Sequence, residues 1–243
     1  MPDEPVRRAV LLAAGRGTRL GSITERFPKP MLEVGGRPII GHILAGLADA
    51  GVSEVSIVTG HCAEILEQGI GDGAAYGVQV RYFRQPRPDG TARAVSLARA
   101  RLEGAPFFFG WGDILVSAAN YRRVLEAAPA GDAVLAVNAV DDPCAGAAVY
   151  VDDELTVTHM VEKPPPGSST TNWNNAGLGV LPPRIWPLVD ALRPSARGEY
   201  ELPQAVAALV EQNARVKAVP VEGLWFDIGT PEDLELARAR WVD

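Results

Sequence analysis

The chain has 243 residues, of which 47% are hydrophobic and 22% charged, and a formal charge of −7. That length suits one large domain or two small ones, at roughly 150 residues per domain, and can bury a core without disulfide or metal staples. An acidic chain with scattered basic residues lacks the broad positive surface that nucleic acid demands, so no nucleic-acid partner is expected. A small polyphosphate is different, because a local positive pocket outweighs net charge at short range.

The two cysteines, Cys62 and Cys144, make neither a disulfide framework nor a metal cluster. They are expected as buried, inert thiols of a reducing compartment. The apolar run behind "MPDEPVRR" ends at Gly15 and Arg16, too short for a signal peptide, and no later run could span a bilayer. The expected location is cytoplasmic, with no membrane partner.

In chain order, "AVLLAA" (9–14) predicts a strand, "PIIGHILAGLADAG" (38–51) a helix and "EVSIVTG" (54–60) a second strand. A helix from Ala63, a strand over 78–83, a helix over 91–102 and the strand "PFFFG" (106–110) follow. The unit repeats with a helix over 121–128 and a strand over 133–140. Strands separated by helices predict parallel pairing, and their near-continuous apolar character predicts a sheet covered on both faces. Beyond residue 146 the rhythm changes. Segments 146–151, 155–161 and 176–181 lie close together, predicting a small antiparallel insertion, with 164–175 a loop by composition. Helices over 183–192 and 201–212, a strand over 215–221 and a helix from Pro231 complete a single α/β domain with a Rossmann-like mixed, mainly parallel sheet.

"LLAAGRGTRL" (11–20) reads as a buried strand running into a glycine-rich turn. A dinucleotide fingerprint needs a third glycine where this chain has Leu20, and no acid follows the next strand. A Walker loop fails at its lysine, since Leu20-Gly21-Ser22 stands there. What remains is a turn whose Gly15 and Gly17 let backbone amides approach an anion, with Arg16 and Arg19 inside it. Ala13 and Ala14 leave room for a flat base or ribose, and Lys29, between Pro28 and Pro30, is expected on extended backbone.

The segment 12–40, "LAAGRGTRLGSITERFPKPMLEVGGRPII", resembles the opening signature of the nucleotidyltransferases that make nucleotide sugars from sugar 1-phosphates. The later stretches "FRQPRPDGTARAV", "WGDIL", "VEKP", "NAGLGV" and "WFDIGTPEDL" resemble that family's further motifs in the same order. The resemblance implies a GT-A-like fold, with a nucleotide-binding half (about 1–115) and a sugar-phosphate-binding half (about 116–243). It implies that Leu12, Ala13, Ala14, Gly15, Gly17, Thr18 and Arg19 hold the triphosphate, that Arg19 takes its β and γ phosphates, and that Lys29 reaches the reacting phosphates. Gln85, Gly90 and Thr91 would form the base-reading segment. A carboxamide can meet the imide edge of uracil or thymine with its donor and its acceptor. UTP or dTTP is therefore favoured, although "GDIL" also resembles guanylyltransferases and uridylyltransferases, and GTP or CTP stays open.

Asp113 follows an apolar strand, at the carboxyl end where α/β sheets bind ligands, or it caps a helix, a task Ser117 could perform instead. Thr230, Pro231, Glu232 and Asp233 suffice to start the last helix, leaving the Asp227 carboxylate available. Asp113 and Asp227 are thus expected to hold Mg²⁺, which takes one or two carboxylates and fills its other positions with water and phosphate oxygens. By resemblance Lys163 pairs with the phosphate of a sugar 1-phosphate and acts with Arg19 and Lys29 in catalysis. Glu162, Asn175, Gly146 and Gly177 would meet the sugar. Trp111 is either a wall of the sugar pocket or core filling, Trp173 could cover the sugar, and Pro203 replaces a threonine common in the thymidylyltransferases.

His42, His61 and His159 lack metal-ligand spacing, and Trp186 and Trp241 are expected in packing. The C-terminal repeats of bifunctional relatives are not expected after the last helix, and the chain is expected as a monomer or homo-oligomer. A catalytically silent nucleotide-sugar binding protein is the alternative class. A nicotinamide-dependent oxidoreductase suffers from the absent third glycine.

Overall fold

The computed structural model describes residues 5–128 and 131–241. Its elements run β1 (Arg8–Ala13), β2 (Glu33–Val34), β3 (Arg37–Pro38), α1 (Ile39–Asp49), β4 (Glu54–Thr59), α2 (Ala63–Ile70), β5 (Gln79–Arg84), α3 (Thr91–Leu97), α4 (Arg99–Leu102), β6 (Phe107–Trp111) and β7 (Ile114–Val116). The second half contains α5 (Ala119–Glu126), β8 (Ala133–Ala139), β9 (Ala147–Val151), β10 (Val157–Glu162), β11 (Trp173–Leu181), α6 (Ile185–Ala191), α7 (Leu202–Glu211), β12 (Val216–Pro220), β13 (Trp225–Asp227) and α8 (Pro231–Arg240).

Among the described residues nine strands form one mixed sheet in the order β10-β9-β11-β6-β1-β4-β5, with β8 joined to β11 and β12 to β8. The strands β6, β1, β4 and β5 are parallel, as the alternating strands and helices predict. β11 runs antiparallel between β6 and β8. The expected antiparallel insertion is therefore no separate unit, because β9 and β10 extend the main sheet through β11.

The period of two along each strand divides the core. Ala9, Leu11 and Ala13 of β1 face the cluster formed with α1, α2, α5 and α8, while Val10 and Leu12 face α3, α6 and α7. Phe108 joins the first cluster, and Phe107 and Phe109 the second. Burial of apolar side chains on both faces, at about 25 cal/mol per Å² of area removed from water, favours this three-layer arrangement.

Several expectations need correction. The helix over 91–102 is broken at Ala98 into α3 and α4. The loop expected over 164–175 ends earlier, because Trp173, Asn174 and Asn175 pair with β8 through Ala139, Asn138 and Val137. Trp173 thus packs, partly buried, against the second core cluster. Cys62 and Cys144 are free thiols, half-buried rather than buried.

Three histidines serve structure. His42 Nε2 donates to the Val34 carbonyl at 2.8 Å and its ring meets Trp241, His61 Nε2 donates to the Thr24 carbonyl at 2.7 Å, and His159 lies against Tyr150. Trp186 stacks on Phe107 at 5.3 Å between ring centres. No helix of the described residues is long and apolar enough to cross a membrane.

Candidate active site

The glycine-rich turn leaves the carboxyl end of β1 and is tied from behind. Thr24 Oγ1 donates to the Gly17 carbonyl at 2.8 Å, and His61 N–H donates to the Ala14 carbonyl at 3.4 Å. Gly17 has φ +62°, the left-handed region that favours glycine, whereas open space surrounds the position of a Cβ on Gly15. A hollow of about 220 Å³ over this turn is lined by Leu12, Ala13, Gly15, Gly17, Thr18, Arg19, Lys29, Pro30 and Asp113. Arg16 lines a different surface with Thr18, Glu25 and His61. Lys29 opens a short 3-10 turn rather than continuing extended backbone. Pro28 and Leu32 on either side of the turn are extended, and the Leu32 N–H donates back to the Lys29 carbonyl at 3.0 Å.

Beside it lies a larger cleft of about 400 Å³. Trp111, Asp113, Gly146, Glu162, Lys163, Asn175, Gly177 and Asp227 all line it, as does Thr91, which the sequence had grouped with the base-reading segment. Arg19 and Asp113 belong to both cavities, so the two spaces meet there. Ala14, Gln85 and Gly90 line neither cavity.

At the junction, Lys29 Nζ lies 2.7 Å from Asp113 Oδ2 and 3.7 Å from Asp227 Oδ1. Two short strands bring the carboxylates together. β13 pairs antiparallel with β7, setting Asp227 opposite Ile114, the neighbour of Asp113. Asp113 caps no helix, and neither does Ser117, whose hydroxyl accepts the Leu224 N–H at 3.2 Å and secures β13. Thr230 does cap α8, in a reciprocal box with Asp233, so the helix start makes no demand on Asp227. Burial and the neighbouring Asp113 charge raise the Asp227 pKa above the ordinary carboxylate value, against the pull of Lys29 and Arg19.

The donor set suits a hard divalent cation. Two carboxylates face one another, and no cluster of three or more His, Cys, Asp or Glu side chains suited to a metal occurs among the described residues. A site with two protein carboxylates, completed by water and phosphate oxygens, is the usual arrangement for Mg²⁺.

The far wall of the cleft is charged. Glu162 ends β10, and its pKa is pushed up to about 7 by burial and by Glu201, with Lys163 and Arg197 opposing. Arg197 pairs with the buried Glu201 and stands 3.9 Å from Glu162. Lys163 adopts φ +46°, and its N–H donates to the Gly146 carbonyl at 2.8 Å. That strained backbone fixes where its side chain leaves the chain. Gly146 lies against Asn174, and Asn175 Oδ1 accepts the Gly177 N–H at 3.0 Å. Trp111 meets Phe109 edge to face at 5.5 Å and also lines the cleft.

The sequence reading missed Asp142, Arg197, Glu199, Glu201 and Trp225 as cleft residues. Arg197, Glu199 and Glu201 alternate along "RGEYE", a period of two that was available as a signal. Trp225 had no such signal; its Nε1–H donates to the Ala176 carbonyl at 3.1 Å.

Comparison with known proteins bears on this geometry. A family model described as nucleotidyl transferase matches residues 8–241. The chain is 34% identical to the low-salt glycan biosynthesis nucleotidyltransferase of Haloferax volcanii, covering 93% of this chain and 64% of that protein. It is also 34% identical to the UTP–glucose-1-phosphate uridylyltransferase of the same organism, covering 96% of each. Against several other curated relatives the chain spans 52–64% of their length. A crystal structure of UDP-glucose pyrophosphorylase complexed with UDP-glucose shares the fold, with a TM-score of 0.84 at 21% identity over 96% of this chain and 97% of that one. The match spans the turn after β1, the turn between β6 and β7 that holds Asp113, and the strand that carries Asp227, and the chain belongs to the nucleotidyl transferase family.

Proposed function

We propose that the protein transfers a nucleotidyl group from a nucleoside triphosphate to a sugar 1-phosphate, giving a nucleotide sugar and pyrophosphate. The observation that carries this reading is the meeting of two cavities at Arg19 and Asp113, beside Lys29 and Asp227. One space suits a triphosphate and the other a sugar phosphate. The relative named for UTP and glucose 1-phosphate supports the same pair of substrate classes.

In this reading a phosphate oxygen of the sugar 1-phosphate attacks the α-phosphorus in line, the bond to the bridging oxygen of the β-phosphate breaks, and pyrophosphate departs. Such a reaction asks the protein for positioning and charge stabilisation. Arg19 and the amides of residues 12–18 hold the departing phosphates. Lys29 balances charge at the reacting centre, and Lys163 holds the incoming phosphate. Glu162, Asn175, Gly146, Gly177 and Trp111 meet the sugar, while Gln85 and Gly90 form the base side and Thr91, next in the chain, opens onto the larger cleft. Asp113 and Asp227 hold Mg²⁺, which when bound neutralises charge on the phosphate oxygens. The nucleotide is served by about 1–115 and the sugar phosphate by about 116–243, as a monomer or homo-oligomer in the cytoplasm.

The test is a matrix of UTP, dTTP, GTP and CTP against sugar 1-phosphates, scored by pyrophosphate release with and without Mg²⁺. Release from a matched pair only when Mg²⁺ is present is the expected result. Nucleotide binding without release from any pair would favour a silent binding protein.

A further inference from the structure

Gly229 lies in the turn between Asp227, which ends β13, and Thr230, which caps α8. Its φ is outside the left-handed region, so the backbone there suits any residue. Space is what excludes a side chain. A Cβ on Gly229 would stand 2.9 Å from Arg19 Nη2, 3.1 Å from Cζ and 3.3 Å from Nη1. Three such similar distances set the guanidinium with its flat face toward the glycine. Its N–H donors then lie in a plane that runs past the turn, the geometry that grips phosphate oxygens in pairs.

Both halves of this contact are anchored by buried neighbours. Leu20, next to Arg19, and Ile228, next to Gly229, are almost wholly buried. The Ile228 N–H also donates to the Asp113 carbonyl at 3.3 Å. A cation beside a helix N-terminus is ordinarily disfavoured, because the amides there carry positive charge. Here Asp233 Oδ2 accepts the N–H groups of Gly229 at 3.1 Å and Thr230 at 2.8 Å, and Glu232 adds a second acid to the first turn. The end of α8 is thereby made fit for an arginine.

We propose that Gly229 is a positioning residue: its missing side chain is the seat of the Arg19 guanidinium, and that seat fixes Arg19 at the junction of the two cavities. One turn thus registers the Asp227 carboxylate against the arginine that holds the departing phosphates. The proposal rests on the nucleotidyl-transfer reading for the presence of those phosphates, and adds to it a residue that touches neither substrate.

The experiment is a double-mutant cycle read by calorimetric binding of inorganic tripolyphosphate to the full chain in Mg²⁺ buffer. Arg19→Ala is expected to weaken binding by about tenfold to a hundredfold, the worth of hydrogen bonds to a charged group. Gly229→Ala should weaken it by about tenfold, because the added methyl lifts the guanidinium off its seat and leaves the charge nearby. In the Arg19→Ala background the same change should alter binding by less than about twofold, since the space is then empty. Gly229→Ala should melt as the parent does, which a glycine required by the backbone would not allow.

Parent-like binding by Gly229→Ala, or equal weakening in both backgrounds, overturns the proposal. If Gly229→Ala fails to fold, the double variant decides. The atoms nearest the methyl all belong to Arg19, so Arg19→Ala must restore folding, and a double variant that also fails overturns the seat. Pyrophosphate release is scored in parallel. A non-additive cycle without release from any substrate pair counts against the transfer reading alone, whereas release by the parent with an additive cycle counts against Gly229 alone.

Discussion

Lys29 Nζ sits 2.7 Å from Asp113 Oδ2 in a position that is nearly closed to solvent, and so supplies the positive charge between two carboxylates. A divalent cation taking those carboxylates competes with the ammonium for the same oxygens.

Replacing Lys29 by Met should therefore strengthen binding of Mn²⁺ to the nucleotide-free protein by about tenfold, as expected for one opposed charge near a protein surface. Manganese titration followed by electron paramagnetic resonance measures it. Turnover of the same variant should fall by about 10²–10³, the usual cost of one lost charge stabiliser. Unchanged manganese affinity would show that the Lys29 contact does not oppose the metal.

Asp227→Asn should lower pyrophosphate release by about 10²–10³ without lowering the melting temperature. Burial and Asp113 already disfavour the charged form of this side chain, so the neutral amide relieves a strain on the fold. Normal turnover in this variant would remove Asp227 from the metal site.

Glu162 offers a pH test. Its pKa rises from 4.5 to about 7 on folding, so the folded state keeps a proton that the unfolded chain releases. Stability must then fall as pH climbs from about 4.5 to about 7 and stay level above, with a total cost on the order of 3 kcal/mol. Glu162→Gln mimics the protonated acid. It should raise unfolding free energy at pH 8 by about 1–3 kcal/mol and give no gain below pH 4.5. Denaturant titrations at the two pH values decide it.

Lys163→Gly separates backbone from charge. With φ at +46°, the lysine backbone costs about 1 kcal/mol that glycine avoids. The variant should melt no lower than the parent while losing about 10²–10³ in turnover. A large loss of stability would assign Lys163 a packing role instead.

Two glycines should respond oppositely. Gly15→Ala enters open space and is expected to leave the melting temperature unchanged while weakening triphosphate binding. Gly90→Ala drives a Cβ to 2.3 Å from the Tyr200 carbonyl oxygen at a φ that only glycine tolerates, and should cost about 2 kcal/mol or more.

The parallel half of the sheet was legible because long apolar strands alternate with amphipathic helices, and each buried face leaves its own periodicity. β7 and β13 were not, since a three-residue strand shows no period of its own. Yet this ribbon, from Trp225 opposite Val116 to Asp227 opposite Ile114, brings the two carboxylates together. Trp173 was read as part of a loop because "PPPGSSTTNWNN" is rich in Pro, Ser, Thr and Asn. Its pairing with Ala139 comes from β8, a partner far away in the chain.

By itself, then, the sequence determined the α/β class, the turn after β1 and the identities of the charged residues, because local periodicity and side-chain chemistry are properties of neighbouring residues. The tertiary structure decided which charges face one another. It set Lys29 between Asp113 and Asp227, turned Arg197 toward Glu162 and Glu201, and bound both amide hydrogens of Gln85. Those relations depend on strand register and loop contact between distant segments, and pairing across space has no signature in local order.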